Sequence, residues 1–370
     1  MGLSARLPDF PWDSLADAAA RARAHPDGIV DLSVGTPVDP TPQVAMDALA
    51  AEADAHGYPP VWGTPDLRRA VADHMASRWR TPALPDEGIL PVVGTKMLVA
   101  LLPTMLGLGE GDVVVIPTIA YPTYDVGARM ARASVLTCDD PASLPRAGQP
   151  GTPALIWLNS PANPQGAVLS PEQLRAWVDY ARSVGAVLAS DECYGEFVYE
   201  GEARSVLDAE ICADSPDRLL VVMSTSKESN MAGYRAGWVA GDPVVVSELL
   251  GLTKHLGLMM PRPVQAAMQA VLRDRQHVAD QLERYRARRA RLLGALQQAG
   301  FRVDRSEGSL YLWATRNEPC RDTIDWLADR GILAAPGDFY GDAGARHVRI
   351  GLTAPDERID AAATRLSTQS

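Results

Sequence analysis

The chain has 370 residues, of which 46% are hydrophobic and 22% charged, and a formal net charge of −11 at pH 7. This size and composition are typical of a globular protein with one large or two ordinary domains, and no uninterrupted apolar segment approaches the ~18 residues that suggest a membrane span. The acidic balance argues against nonspecific nucleic-acid binding, which needs a basic surface to displace counterions.

The first part of the chain is predicted to be mainly helical. Helical spacing covers 13–24, 43–55 and 67–79, and a short apolar strand covers 29–34. Pro37, Pro40 and Pro42 lie between this strand and the second helix. We interpret them as a linker from a small amino-terminal piece into the main domain.

From about residue 88, short apolar runs alternate with helices, which is the pattern of a mostly parallel sheet covered on both faces. The predicted strands are 89–93, 113–116, 133–137, 154–158, 187–190, 219–223 and 237–240. In an open α/β sheet, ligands bind at the carboxyl ends of the strands. We therefore expect one site there, because polar or small residues follow five of these strands: Gly94 and Thr95, Tyr121, Asn159 and Asn163, Asp191 and Tyr194, and Ser224 to Lys227.

The carboxyl-terminal third is predicted to form a compact α+β unit. A long amphipathic helix covers 263–298, and its arginine-rich face is interpreted as solvated. Strands over 302–305, 309–314 and 347–352 and a helix over 321–329 follow. The predicted division is a large domain of residues 40–255 and a small domain that combines 1–39 with 256–370.

Lys227 is the residue at which the chemical evidence converges. Only three of the 35 basic residues are lysines, so each lysine is a candidate for a specific role. A lysine that follows an apolar strand closely is partly desolvated, which lowers its pKa and suits it to a Schiff base with a carbonyl compound. Ser224, Ser226 and Arg235 are suited to hold a phosphate. Against the alternative of a solvated lysine in a serine-rich loop, this grouping indicates a pocket for pyridoxal 5′-phosphate.

Three blocks are specific to a known family. They are Ser224-Thr225-Ser226-Lys227 with Arg235 eight residues on, Asp191-Glu192-Cys193-Tyr194, and the run from Asn159 to Gly166, in which Gln165 replaces the usual threonine. Over essentially the whole chain, the sequence resembles the class I/II aminotransferases, which are fold-type I enzymes that depend on pyridoxal phosphate. The resemblance implies an α/β fold with a large, mostly parallel αβα sheet domain and a small α+β domain.

The resemblance also implies roles for single residues. Lys227 matches the Schiff-base lysine and Arg235 the phosphate-binding arginine, with Ser224 and Ser226 beside them. Asp191 matches the carboxylate that faces the pyridine nitrogen, while Tyr194 and Asn163 match the residues at the ring's 3′-oxygen. Tyr121 matches the aromatic residue that stacks on the cofactor, although Tyr124 competes for this assignment.

Further matches concern the phosphate, the substrate and the partner subunit. Gly94-Thr95-Lys96 is similar to the turn that cradles the phosphate at a helix start. Arg349 matches the arginine that grips the substrate α-carboxylate, and Gly35 belongs to the segment that closes over it. Tyr58 resembles the tyrosine that reaches the phosphate from a neighbouring subunit, which implies a homodimer with composite sites. No metal is expected.

The expected activity is transfer of an amino group between an amino acid and a 2-oxo acid by ping-pong chemistry. Segments 102–109 and 115–124 are similar to those of the N-succinyldiaminopimelate aminotransferases of lysine biosynthesis, which implies N-succinyl-LL-2,6-diaminopimelate with 2-oxoglutarate and glutamate. Lys254, His255 or Arg262 is then expected to meet the distal carboxylate. The alternatives are an aminotransferase for aspartate, alanine or aromatic amino acids, a lyase or decarboxylase on the same fold, and a noncatalytic cofactor-binding regulator.

A cytoplasmic location is expected. The segment from Met1 to Trp12 lacks a basic and then apolar signal pattern. The four cysteines are far apart and include no Cys-x-x-Cys pair, so neither a disulfide framework nor a zinc site is indicated, and we expect reduced, mostly buried thiols. Neither nucleic acid nor a membrane is expected as a partner.

Overall fold

The computed structural model describes residues 7–367. Its α-helices are α1 Ala16–Arg23, α2 Gln43–Ala51, α3 Pro65–Trp79, α4 Thr95–Met105, α5 Thr123–Met130, α6 Pro171–Val184, α7 Ala209–Cys212, α8 Thr225–Glu228, α9 Pro243–Leu256, α10 Arg262–Arg273, α11 Gln276–Gln298, α12 Cys320–Ala328 and α13 Asp356–Ser367. Its strands are β1 Val30–Asp31, β2 Ile89–Val93, β3 Val113–Ile116, β4 Ser134–Thr137, β5 Leu155–Asn159, β6 Val187–Asp191, β7 Leu219–Ser224, β8 Ala236–Gly241, β9 Arg302–Asp304, β10 Tyr311–Thr315, β11 Ile332–Leu333, β12 Ala335–Pro336 and β13 Val348–Gly351. Within 7–367, no helix combines the length and the apolar character needed to cross a membrane.

The largest sheet has seven strands in the order β2-β8-β7-β6-β5-β3-β4. Only β8 runs antiparallel to its neighbours β2 and β7, whereas the other pairs are parallel. The mostly parallel sheet predicted from the sequence is therefore confirmed. Each predicted strand end lies within one residue of the observed end, because continuous apolar runs between polar turns mark buried strands clearly.

Both faces of this sheet are covered by helices. Along β7, Leu219, Val221 and Met223 pack into one hydrophobic cluster, while Leu220 and Val222 pack into another on the opposite face. The first cluster contains side chains of α3 and α6, and the second contains side chains of α4, α5 and α9. Since alternate strand residues point to opposite faces, both faces of an interior strand must be apolar, and the polar side chains are left for the strand ends.

The chain ends meet in a third hydrophobic cluster. It joins α1 and β1 to α11, α12, α13 and the four-stranded sheet β12-β13-β10-β9. Strand β1 pairs in parallel with β11, with Val30 opposite Ile332. The prediction of a strand over 29–34 is wrong beyond Asp31, because the Asp31 carboxylate accepts hydrogen bonds from the backbone N–H of Ser33 (2.9 Å) and from its hydroxyl (2.6 Å), which turns the chain.

The long helix predicted over 263–298 is two helices. Asp274 has extended backbone angles (φ −101°, ψ 115°), and its carboxylate accepts a hydrogen bond from the N–H of Gln276 at the start of α11. Helix α10 packs against α2 and α3, and its Met268 lies in the cluster under the large sheet. The domain division at residue 255 stays a prediction, and the packing of α10 favours a division nearer Asp274.

The arginine-rich face of α11 is only partly solvated. Arg288 is 4% exposed, and its guanidinium forms two hydrogen bonds of 2.7 Å with the Asp39 carboxylate and one of 2.6 Å with Asp356. The prediction of a solvated face is wrong at this residue, because the paired acids lie far away in sequence. A buried arginine of this kind ties α11 to the segment that follows Pro37.

Candidate active site

A cavity of about 690 Å³ opens where β5, β6 and β7 end in Asn159, Asp191 and Ser224. Most of the residues predicted for the site line this one cavity, although they come from segments throughout the chain. They are Gly35, Thr95, Lys96, Tyr121, Asn163, Asp191, Tyr194, Ser224, Ser226, Lys227, Arg235 and Arg349.

Two predicted residues lie outside the lining of the cavity. Gly94 is adjacent to it, and a Cβ atom on Gly94 would lie 2.2 Å from Nη2 of Arg235, so the close approach of these residues requires glycine. Tyr58 is 96% exposed. A single chain therefore brings together the residues predicted to hold the cofactor and the α-carboxylate, with the exception of Tyr58, which is expected to serve a neighbouring subunit.

Lys227 lies in the one-turn helix α8 directly after β7. The Ser224 hydroxyl caps this turn by accepting a hydrogen bond from the N–H of Ser226 (3.0 Å). The Lys227 ammonium donates to the carbonyl oxygen of Gly35. Burial lowers the pKa of Lys227, while Tyr311 opposes this effect and the positive charges of Arg349 and Arg235 add to it. The amine in the wall of the cavity therefore loses its proton more readily than a solvated lysine does.

Asp191 ends β6, and its carboxylate is held by two donors. Its Oδ2 atom accepts a hydrogen bond from the Tyr124 hydroxyl (2.9 Å), and its Oδ1 atom accepts one from the N–H of Cys193 (3.2 Å). Burial raises the pKa of Asp191, although these hydrogen bonds and the charge of Lys227 act in the opposite direction. Such an acid is suited to pair with a cationic group of a ligand, because that pairing would offset the desolvation.

A candidate anion site lies at the start of α4. Gly94 precedes the helix with φ 74°, and no side chain caps its first N–H groups. The Arg235 guanidinium lies against Gly94, while the hydroxyls of Ser224 and Ser226 lie 2.7 Å apart. Free backbone N–H groups at a helix start, hydroxyls and a guanidinium are the groups that bind phosphate. The donor set therefore fits the phosphate of the expected cofactor.

Arg349 is the centre of a second candidate anion site. It is 3% exposed, and its Nη1 and Nη2 atoms donate to Oδ1 of Asn163 (2.9 Å) and to the carbonyl of Ser33 (2.5 Å). Its Nε atom is buried without a hydrogen-bond partner among the described residues. Because an unpaired buried donor is costly, this arrangement is suited to a carboxylate that enters the cavity.

The structure distinguishes Tyr121 from Tyr124. Tyr124 is fully buried, its ring stacks on Trp157 at 4.9 Å between centroids, and its hydroxyl is bonded to Asp191. Tyr121 is partly exposed in the cavity wall and contacts Tyr124 edge to face at 5.7 Å. These environments favour Tyr121 as the ring that faces a ligand.

Four residues that carry an aromatic ring or a thiol line the cavity but were not assigned a role from the sequence. They are Phe10, Trp12, Cys193 and Tyr311. Tyr311 lies in an apolar strand, where an aromatic residue is typical of a core, and Phe10 and Trp12 precede the first helix without a motif. The only signal for Cys193 was its place between Asp191 and Tyr194.

The cations expected at the distal carboxylate do not line the cavity of their own chain. Lys254 and His255 are exposed in the last turn of α9, and Arg262 pairs with Glu52 at 3.1 Å. Lys96 lines the cavity instead, with its Nζ atom 5.8 Å from the ring centroid of Phe10. Any contact of the first three residues with a neighbouring subunit stays a prediction.

A buried ionic cluster lies behind Lys227. Ligand-type atoms of His74, Glu196 and Glu228 lie within 4.8 Å of one another. Arg275 and Arg78 bond the Glu196 carboxylate at 2.5 and 3.1 Å, so a metal cation would meet two guanidinium groups there. Burial, followed by the charge of Arg275, lowers the pKa of His74 to about 4, while burial raises that of Glu228 to about 8. At neutral pH both groups are therefore mainly uncharged.

Comparison with known proteins agrees with this geometry. Residues 27–366 match the sequence profile of the family described as Aminotransferase class I and II. The chain is 56% identical to "Probable aminotransferase Rv1178" of Mycobacterium tuberculosis over 99% of this chain and 87% of that protein. It is 53% identical to "4-dedimethylamino-4-oxo-anhydrotetracycline transaminase OxyQ" of Streptomyces rimosus over 98% and 99% of the two chains. An aminotransferase structure from Staphylococcus aureus superposes with a TM-score of 0.88 at 25% identity, covering 99% and 98%.

The match extends over nearly the whole chain and both anion sites. Members of this family and its fold-type I neighbours use pyridoxal phosphate, and the donor set at α4 fits that group. The predicted fold, cofactor and enzyme class are confirmed. The chain belongs to the class I and II aminotransferases and is a pyridoxal-phosphate-dependent enzyme of fold type I.

Proposed function

We propose that this enzyme moves an amino group between an amino acid and a 2-oxo acid, with Lys227 as the covalent anchor of the cofactor and as the base at the substrate Cα. The observation that carries the proposal is the position of Lys227 in one cavity with Arg349, which has an unpaired buried donor. Bound pyridoxal phosphate supplies an electron sink that makes the Cα–H bond acidic. The lowered pKa of Lys227 supports its role, since a base must be unprotonated when it takes the proton.

The remaining roles follow from the surroundings of each side chain. Asp191 pairs with the protonated ring nitrogen, and Tyr194 and Asn163 hold the 3′-oxygen. Tyr121 packs on the ring face. The start of α4, Ser224, Ser226 and Arg235 would hold the phosphate. This assignment is supported by the hydrogen bonds of Asp191 to protein donors, which orient the carboxylate, and by the close approach of Gly94 to Arg235.

Arg349 binds the α-carboxylate of the amino acid or oxo acid. A guanidinium grips a carboxylate through two parallel hydrogen bonds, which fixes the Cα–H bond relative to the ring. Gly35 lies beside it, and its carbonyl accepts the hydrogen bond from Lys227. The segment that contains Gly35 thus covers the carboxylate and holds the base at the same time.

For the substrate, we retain N-succinyl-LL-2,6-diaminopimelate with 2-oxoglutarate and glutamate. Both amino donors carry an anionic group besides the α-carboxylate. Of the cations that line the cavity, Lys227, Arg235 and Arg349 already have roles, which leaves Lys96. We therefore assign the distal carboxylate to the Lys96 side chain, in place of Lys254, His255 or Arg262.

A second candidate is a bulky cyclic ketone as amino acceptor. It is suggested by the printed name of the Streptomyces rimosus relative, which refers to an oxo-anhydrotetracycline. Phe10 and Trp12 favour it, because their rings stack at 5.6 Å in the cavity wall and Phe10 is 56% exposed. The remaining alternatives are an aminotransferase for aspartate, alanine or aromatic amino acids and a lyase on the same fold.

The substrate assignment is tested by comparing kcat/KM for N-succinyl-LL-2,6-diaminopimelate, aspartate, alanine and aromatic amino acids with 2-oxoglutarate as acceptor. We expect Lys96→Met to lower kcat/KM for the succinylated donor about tenfold, which is the loss of one charge-assisted hydrogen bond. Alanine has no distal anion, so its kcat/KM should change less than about twofold.

If kcat/KM is about tenfold higher for any other donor, the specific substrate is wrong, but the assignment of amino transfer stands. Efficient amination of a polycyclic ketone would support the second candidate. If an amino donor is consumed without amination of 2-oxoglutarate, the lyase alternative is correct.

We also propose a homodimer in which Tyr58 completes the phosphate site of the partner subunit. The support is the exposure of Tyr58, which is 96% in the single chain. Tyr58→Phe should raise the dissociation constant of pyridoxal phosphate about tenfold, because one hydrogen bond to a charged group is lost. Equilibrium dialysis measures the affinity and sedimentation measures the assembly. An active monomer, or unchanged cofactor affinity, would exclude the composite site.

We also propose that the protein is located in the cytoplasm. The four cysteines are unpaired and buried or half-buried, which suits a reducing compartment. Fractionation of cells with an antibody to the protein would test the location.

A further inference from the structure

Tyr311 contacts both Arg349, the proposed carboxylate ligand, and Tyr194, a proposed cofactor ligand. It lies on β10, is 2% exposed and lines the same cavity as Lys227. Its ring packs under the guanidinium of Arg349, with 4.1 Å between the Arg349 Cζ atom and the ring centroid. Its hydroxyl lies 2.9 Å from the hydroxyl of Tyr194. One side chain therefore touches both the proposed carboxylate ligand and a proposed cofactor ligand.

The backbone is built to admit this tyrosine. A Cβ atom on Gly35 would lie 1.9 Å from the Tyr311 hydroxyl oxygen, so only glycine fits at that position. The carbonyl of the same glycine accepts the hydrogen bond from Lys227. A shift of Tyr311 would therefore displace Gly35. Through the Gly35 carbonyl it would also displace the amine of Lys227.

The direction of the hydrogen bond between Tyr194 and Tyr311 follows from the relative acidity of their hydroxyls. Burial raises the pKa of Tyr194 well above its usual range. Burial also acts to raise the pKa of Tyr311, but the positive charges of Arg349 and Lys227 outweigh it and lower that pKa. The stronger acid is the better donor, so the Tyr311 hydroxyl donates to the Tyr194 oxygen and leaves the Tyr194 O–H free to donate to the cofactor.

We propose that Tyr311 is a positioning residue with two separable parts: its ring holds the guanidinium plane of Arg349 towards the substrate carboxylate, and its hydroxyl holds the hydroxyl of Tyr194. The proposal rests on the proposed function and extends it to a residue outside the sequence motifs. The ring part acts on substrate affinity. The hydroxyl part acts on the ionisation of the loaded site, because Tyr194 is a proposed ligand of the cofactor's 3′-oxygen.

Two variants separate the parts. Tyr311→Phe keeps the ring and removes the hydroxyl, whereas Tyr311→Leu removes both. Tyr285→Phe is the matched control, because Tyr285 is a buried tyrosine of the same hydrophobic cluster whose hydroxyl has no hydrogen-bond partner among residues 7–367. Thermal unfolding of each variant shows whether it is folded.

The probe for the ring is adipate, a dicarboxylate without an amino or oxo group, titrated into the cofactor-loaded protein by calorimetry. We expect Tyr311→Leu to raise its dissociation constant about thirtyfold, as for loss of a desolvated cation–π contact, and Tyr311→Phe to change it less than about threefold.

The probe for the hydroxyl is the pH titration of the visible absorbance of the loaded protein. Tyr311→Phe removes the hydrogen bond donated to the Tyr194 oxygen, which weakens Tyr194 as a donor to the cofactor oxygen and destabilises the deprotonated form, so the midpoint should move to higher pH. Tyr285→Phe should leave the midpoint in place. An unmoved midpoint in Tyr311→Phe, or wild-type adipate affinity in Tyr311→Leu, overturns the inference. Absence of amino transfer by the wild-type protein with every donor would instead reject the proposed function.

Discussion

Lys227→Ala should lower kcat/KM by at least about 10⁴-fold, which is the upper end of what a positioned acid or base contributes, and should abolish covalent attachment of pyridoxal phosphate. The reason is that the variant loses both the anchor and the base. The affected amine belongs to the third residue of a one-turn helix and, within residues 7–367, donates only to the Gly35 carbonyl, so its removal breaks little of the fold. Activity assays and mass spectrometry after borohydride reduction measure the two effects.

A small primary amine provides the control for this variant. If Lys227 acts as a base, added methylamine should restore part of the rate, because it can take the proton in the space left by the side chain. Peptide mapping of the reduced wild-type protein should place the pyridoxyl group on Lys227. A label on Lys96 or Lys254 would show that the central assignment is wrong.

Asp191→Asn should lower kcat about 10²-fold or more, since it leaves a cationic ring nitrogen without its buried partner and such losses cost about 3 kcal/mol or more. The substitution preserves shape, and the amide oxygen can still accept the hydrogen bond from Tyr124. Glu192→Gln is the matched control, because Glu192 is also buried, with Oε1 bonded to the N–H of Val206, and does not line the cavity. Loss of kcat in both variants to the same degree would show a general structural effect.

The same variant has an expected effect on stability. Because burial raises the folded-state pKa of Asp191, this group favours the folded state most below its unfolded-state pKa and loses that contribution as pH rises through the folded-state value. Cofactor-free Asp191→Asn should therefore have a higher Tm than the cofactor-free wild type at pH 7. An equal or lower Tm, measured by calorimetry, would contradict the assigned cost of burying this carboxylate.

The large sheet was predictable because its strands are apolar on both faces and end in polar residues. That pattern located Asn159, Asp191 and Ser224 at one edge before their contacts were known. The scarcity of lysine made each of the three lysines a candidate, and the position of Lys227 directly after an apolar strand singled it out. Local sequence is sufficient for such features, since each depends on a strand and the turn that follows it.

The features of the fold and the site that were not predicted depend on contacts between distant segments. Nothing near Arg288 indicates that Asp39 will pair with it, and nothing near Tyr311 indicates that Arg349 will pack on its ring. The choice between Tyr121 and Tyr124 required the position of Asp191. The break before α11 depends on one side chain between the two helices, because the Asp274 carboxylate bonds the N–H of Gln276 and competes with an otherwise continuous helical pattern.

The pairing of β1 with β11 has a consequence for synthesis on the ribosome. The large sheet has all its strands once Gly241 has been made, whereas Val30 must wait for Ile332. Arg349, which bonds the carbonyl of Ser33, is made later still. Closing so long a loop is entropically costly and slow, so the phosphate side of the cavity can form before the carboxylate side. A nascent chain halted before residue 332 would thus carry Lys227 on a complete sheet and yet have no site for a substrate carboxylate.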